Sequence, residues 1–128
     1  EPNFSIYDET PRAVALYQIY RKRWLARWWQ QMGIRCVVDL NISRQHYDIA
    51  LLGVPQGWAW YATRGYTERM DSTIAEYEMA VKHAAGNTVN FMVYGGGKQV
   101  KALCQERGWL WLAEARDQGK GKVKHGEG

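Results

Sequence analysis

Cysteine is scarce in this 128-residue chain, with Cys36 and Cys104 the only two. Two thiols cannot build a disulfide framework, and both read as small buried hydrophobes. Histidine is equally thin. His46, His83 and His125 stand far apart, with no Cys or acid at ligand spacing, so the sequence assigns no metal site. Asp8, Glu9, Asp39 and Asp48 would supply Mg²⁺ ligands only if the fold gathered them; spacing gives that idea no support, and the cofactor stays unassigned. A Ser/His/Asp triad arises only by arbitrary choice of partners. No run approaches the ~18 consecutive apolar residues of a membrane-crossing helix. No secretory leader is recognisable, so the expected setting is cytoplasmic, with no membrane partner. The start at Glu1 rather than Met suggests an upstream segment.

What the chain does have is tryptophan and positive charge. Seven Trp and an apolar content of 46% are enough for a real core. The net charge of +4 favours anionic partners, such as DNA or RNA, without establishing one. The length fits one domain.

Helix and strand signals alternate along the chain. Thr10 is a good N-cap, Pro11 suits a first helical position and Gly33 a helix stop, so a helix is expected over 11–32. An apolar, β-branched run over 34–40 reads as a buried strand. Residues 46–52 read as a short helix ended by Gly-Val-Pro, and 58–63 as the second strand. Thr73 and Glu76 fit a capping box for a helix that Gly86 closes. A third strand is expected over 89–94, a third helix from about Gly97 to Gly108, and a last strand over 109–113. The fold class is therefore α/β: a compact single domain, residues 1–114, with a mainly parallel sheet of about four strands flanked by helices. A basic Gly/Lys-rich tail, 115–128, is expected to be flexible.

In such sheets, ligands bind beyond the carboxyl ends of the strands. That rule gathers Asp39, Thr63, Arg64, Tyr94, Gly95, Gly96, Gly97 and Lys98 on one edge as anion- or nucleotide-binding candidates. The YGGGK stretch carries the most chemistry. Its glycines let backbone approach a ligand, the next helix offers free N–H groups, and Lys98 adds a charge. It is no Walker motif, because the spacing differs and no Ser/Thr follows the lysine. A glycine-rich turn also serves purely steric ends.

The stretch LYQIYRKRWLARWWQQMGI, 16–34, raises a different possibility. Helical phase gathers Ala13, Val14, Tyr17, Tyr20, Trp24, Leu25, Trp28 and Met32 on one face, expected to pack inward. Arg12, Arg23 and Arg27 fall outside it, either as a solvated face or, with Lys120, Lys122 and Lys124 of the tail, as nucleic-acid-binding candidates. Arg21 falls amid the apolar face. It then needs a carboxylate, Asp39, Asp8 or Glu9, or a ligand, because burying an unpaired guanidinium costs several kcal/mol; it joins the anion candidates. A nucleophilic role for Tyr20 has little beside it in support, and a core tyrosine is the simpler reading. Trp109 and Trp111 alternate with Leu110 and Leu112, which suggests burial or a protein interface.

FSIYDETPRA, YRKRWLARWWQQMGI, GVPQGWAWYATRG and MVYGGGK occur in the order seen in a phage- and plasmid-borne family, domain of unknown function four-four-one-seven, which the chain resembles over roughly residues 3–95. Phe4, Ser5, Tyr7, Asp8, Pro11, Tyr20, Arg21, Arg23, Trp24, Gln30, Gly33, Ile34, Gly53, Pro55, Thr63, Gly65, Tyr94 and Gly95 match its pattern. Leu52 stands where the family has Asp before Gly-Ile-Pro, and Val38-Asp39-Leu40-Asn41-Ile42 replaces its Pro-Thr-x-x-Trp segment. The resemblance implies a mobile-element protein in the host cytoplasm. Three functions follow as expectations: a nucleic-acid-associated accessory of replication, recombination or packaging; a phosphate- or nucleotide-binding enzyme or sensor at the Gly95–Lys98 turn; or a module that binds a host or virion protein through exposed Trp. Whether it is an enzyme, and with which catalytic residue, the sequence leaves unassigned.

Overall fold

A computed structural model describes residues 1–114 apart from Asn3 and Ser5. The 115–128 tail, with Lys120, Lys122 and Lys124, lies outside the described residues. Helix α1 (Arg12–Gln31) leads into strand β1 (Val38–Asp39) and a 3-10 turn (Arg44–Ile49). Strand β2 (Trp60–Arg64), a second 3-10 turn (Thr67–Arg69) and helix α2 (Met70–Ala84) follow. Strand β3 (Asn90–Tyr94), helix α3 (Gly97–Arg107) and strand β4 (Leu110–Leu112) complete the described chain. All three strand pairs are parallel, in the order β1-β2-β3-β4, as an α/β reading requires.

Alternation along the strands sets one face of the sheet against α2 and α3. Val38, Tyr61, Phe91 and Val93 are buried there with Ala80, Val100 and Cys104. Tyr77, Phe91 and Trp109 form an aromatic cluster with centroids 4.8–5.2 Å apart. The residues between them in sequence, Trp60, Ala62, Met92, Leu110 and Leu112, stay partly or largely exposed. Cys104 is fully buried as expected, but Cys36 is only half-buried, its thiol 3.5 Å from the Ala26 carbonyl. The Tyr61 hydroxyl is buried without a partner in this core, and burial raises its pKa to about 12. Tyr61→Phe is therefore expected to be neutral or to stabilise by up to ~1 kcal/mol, because it removes a desolvated polar group. Urea denaturation that shows a loss of more than ~1 kcal/mol would contradict this.

α1 packs with the opposite phase from the one its composition suggests. Ala15, Ile19, Lys22 and Ala26 are its buried residues, and Ala15 and Ile19 cluster with Ile42, Ile49 and Ala50. Small side chains let α1 approach closely, and the large aromatic ones point away. Leu40 donates its N–H to Ala62 of β2, so the Asp39 backbone groups face the free edge of β1. Two side chains fill that edge. The Glu1 carboxylate accepts the Asp39 N–H at 2.8 Å, and Lys22 Nζ donates to the Asp39 carbonyl at 3.0 Å. Lys22 is 2% exposed. It is the most deeply buried cation of α1; Arg21, one residue and about 100° away, faces solvent.

Two expected caps do not form. Thr10 turns its hydroxyl to the Tyr7 N–H instead of capping α1. Thr73 and Glu76 lie inside α2, which begins at Met70, and both are buried.

Candidate functional site

Because every strand runs the same way, the carboxyl ends of β1, β2, β3 and β4 share one edge. Asp39 pairs in register with Ala62, Arg64 with Tyr94, and Tyr94 with Leu112. The structure thus brings Asp39, Thr63, Arg64, Tyr94 and Gly95–Lys98 to that edge, but divides them between different surroundings.

Arg64, Gly96, Gly97 and Lys98 line an open cleft of about 520 Å³ together with Tyr66 and Glu114. Gly95 lies beneath it. A Cβ on Gly95 would sit 1.9 Å from Glu114 Oε1 and displace that carboxylate, and the φ of 76° itself favours glycine. Glu114 also pairs with Arg64 at 3.1 Å. The acidic group found against the glycine turn is thus the chain's own. Lys98 is exposed at the rim.

Asp39 and Thr63 face inward. Asp39 Oδ1 accepts the Tyr94 hydroxyl at 3.3 Å and the Asn41 N–H at 3.0 Å. Thr63 donates to Glu76 Oε1 at 2.7 Å, and Tyr47 donates to Glu76 Oε2 at 2.6 Å. Burial pushes the Glu76 carboxyl up to about 7, and the nearby Asp39 charge pushes the same way; the Thr63 and Tyr47 hydrogen bonds and Arg69 only partly offset them. The Tyr47 and Tyr94 phenols are held well above the ordinary tyrosine value, first by burial and then by the carboxylates they face. Burial lowers the Lys22 ammonium, with Asp39 and Glu1 opposing. Glu76 is the residue sequence reasoning missed. Its signal was spacing: Thr73, Glu76, Ala80 and Ala84 step along the buried side of α2. No group of three or more His, Cys, Asp or Glu able to hold a metal ion occurs among the described residues.

Arg21 stands apart from this edge. Its guanidinium lies 4.4 Å from the Phe4 ring centroid and 5.6 Å from that of Tyr17, and it donates to Gln18 Oε1 at 3.0 Å. None of the carboxylates expected to pair with it does so; on the solvent side of α1 it needs none. The other α1 cations differ among themselves. Arg12 is exposed and forms a two-point ion pair with Asp48. Arg23 is largely buried, paired with Glu1 at 3.0 Å and bonded to the Ala50 carbonyl. Arg27 is exposed.

Along the outer side of α1 run Tyr17, Tyr20, Trp24 and Trp28, 58%, 64%, 57% and 47% exposed. The Trp24 and Trp28 rings are nearly parallel, 16° apart in plane and 6.4 Å between centroids. Arg21 and Arg27 flank this stripe in helical phase. The helix holds five Lys/Arg and no Asp or Glu.

Residues 1–94 match the model of a family described as Domain of unknown function (DUF4417). Two relatives, each named Gene 1 protein, come from Mycobacterium phage D29 and Mycobacterium phage L5. They are 33% and 32% identical over 57 residues, which is 44% of this chain and 21% and 25% of theirs. The chain thus spans no more than about a quarter of the curated relatives it matches. No solved structure gives a significant match. No helix among the described residues is long and apolar enough to cross a membrane.

Proposed function

The chain belongs to the DUF4417 family, its relatives are phage proteins, and from that premise we propose that it is a mobile-element accessory protein that binds single-stranded nucleic acid along α1 in the host cytoplasm. The observation that carries this reading is the exposed stripe Tyr17, Tyr20, Trp24 and Trp28 on a helix with no acidic residue. Single strands are gripped by aromatic faces that stack on bases and by cations that follow the phosphates. Arg21 and Arg27 are the cations next to the stripe, and neither is tied up in an ion pair among the described residues. Replication and recombination both expose single strands to which such a surface can bind.

The test is fluorescence anisotropy with a labelled single-stranded 20-mer across a salt series. Trp24→Ala and Trp28→Ala are each expected to weaken binding by about 1–3 kcal/mol, the usual worth of one aromatic–base stack. Arg21→Gln and Arg27→Gln should each flatten the salt dependence by roughly 0.7 of a log unit per log unit of salt. No binding at low salt would end this reading. The same exposed rings favour a second one, a host or virion protein seated on α1; it would be indicated if the Trp variants lost a co-purifying protein while the wild type ignored the oligonucleotide.

A further inference from the structure

Arg64 and Tyr66 also line a second cavity, distinct from the glycine-turn cleft. It lies among residues 6–9, the loop after β1 and the start of α2, in two adjoining lobes of about 280 and 130 Å³ that share Asp8, Asn41, Ser43, Arg64, Tyr66 and Arg69. Its polar lining contains donors that the folded chain leaves partly open, although Arg64 also pairs with Glu114 at 3.1 Å on the side of the glycine-turn cleft. The Ser43 hydroxyl and Arg64 Nε are buried with no hydrogen-bond partner. The Arg69 guanidinium lies 4.2 Å from the Tyr66 ring centroid, and it makes no ion pair among the described residues. Arg44, at the smaller lobe, is held out by Asp71 at 3.0 Å and Ser72 at 3.1 Å. Glu76, with Tyr47 on it, lines the same lobe.

We propose that this cavity binds a phosphate monoester, with Arg64, Arg69 and Arg44 around the phosphate and Ser43 as a further donor. A dianion with three terminal oxygens suits donors that converge from several elements, and planar guanidiniums bind it with two hydrogen bonds each. A partner-free buried hydroxyl and guanidinium nitrogen are costly unless something completes them. Asp8 lines both lobes and Glu9 the larger one, but both are exposed, so water screens their repulsion. Burial raises the Glu76 carboxyl to about 7, which reduces its negative charge near neutral pH. The ester is either the 5′ end of a nucleic acid or a free nucleotide; both present the same group. The site stands independently of the α1 stripe.

Inorganic phosphate is the first probe, titrated by calorimetry against sodium chloride at equal ionic strength. Saturable binding is expected, weakened tenfold or more in Arg69→Ala and in Arg44→Gln and unchanged in Trp24→Ala. Arg69 and Arg44 are both exposed, so each variant should keep the wild-type melting temperature when phosphate is absent. A 5′-phosphorylated oligonucleotide that outbinds its 5′-hydroxyl twin identifies a nucleic-acid end as the source, and equal binding of adenosine monophosphate identifies a free nucleotide. The proposal is overturned if none of the three phosphates binds saturably, or if folded Arg69→Ala and Arg44→Gln bind them as the wild type does. Because Trp24→Ala leaves this cavity intact, loss of α1 binding and loss of phosphate binding are separate results.

Discussion

Lys22→Ala is expected to cost the domain about 3–5 kcal/mol, the usual penalty for breaking a buried ion-pair network by deleting one member. Lys22 Nζ is the donor to the Asp39 carbonyl at the free edge of β1, and it lies within electrostatic reach of the Asp39 and Glu1 carboxylates. Its loss leaves the buried Asp39 carbonyl without its donor, leaves Arg23 as the one cation paired with Glu1 among the described residues, and opens a cavity between α1 and β1. Small domains have only about 5–15 kcal/mol in total, so the variant should be largely unfolded in modest urea. Arg21→Ala is the matched control. Its side chain is solvated and touches Phe4, Tyr17 and Gln18, and a change of within ~0.5 kcal/mol is expected, as at most surface positions. Urea midpoints for the two variants decide the matter: a loss below ~1 kcal/mol at Lys22, or a larger loss at Arg21, would refute the assigned phase of α1.

Glu76 gives stability an unusual pH dependence. Its folded-state value, about 7, lies above the ordinary 4.5, chiefly because burial disfavours the ionised form. The raised value means that the folded state holds this proton more tightly than the unfolded chain. The contribution is therefore fully present below pH ~4.5 and is lost as pH climbs through about 7. At 1.36 kcal/mol per pKa unit the loss amounts to roughly 3 kcal/mol between pH 4.5 and 8. Glu76→Gln keeps the shape and removes the titration, so its stability should decline less across that window by about this amount. Denaturant midpoints at pH 5 and pH 8 measure it. Parallel profiles for wild type and Glu76→Gln would show that Glu76 does not titrate there.

The sheet was legible in the sequence because its signals are local. Four apolar runs bounded by Gly, Pro and capping residues gave four strands, and observed ends such as Asn90–Tyr94 differ from the expected ones by a residue or two. Only β1 is much shorter than its run, because in its register Ile34, Arg35 and Cys36 lie beyond the start of β2 at Trp60 and have no strand to pair with. Parallel order then fixed which residues meet at the carboxyl edge. α1 was misread because its large rings were assigned to the core. Its buried side consists of Ala15, Ile19, Ala26 and a lysine, a stripe too small and too polar to stand out beside seven heavier apolar residues. Close approach of helix to strand, rather than hydrophobicity of the face, decided the phase, and that is a tertiary property. The Glu76 environment was hidden for a similar reason. Thr73 and Glu76 have capping-box spacing, but the turn at Thr67–Arg69 starts the helical path earlier and carries both residues inside.

The filled edge of β1 also bears on assembly. A bare edge strand is a template on which another chain can add a strand, and edge addition is how sheets grow into fibres. Here the one outward-facing N–H and C=O of β1 are already taken by Glu1 and Lys22. A second molecule approaching from that side meets side chains of α1 rather than open backbone. Growth of the sheet is thus blocked at its β1 end by the same lysine that holds the helix in place.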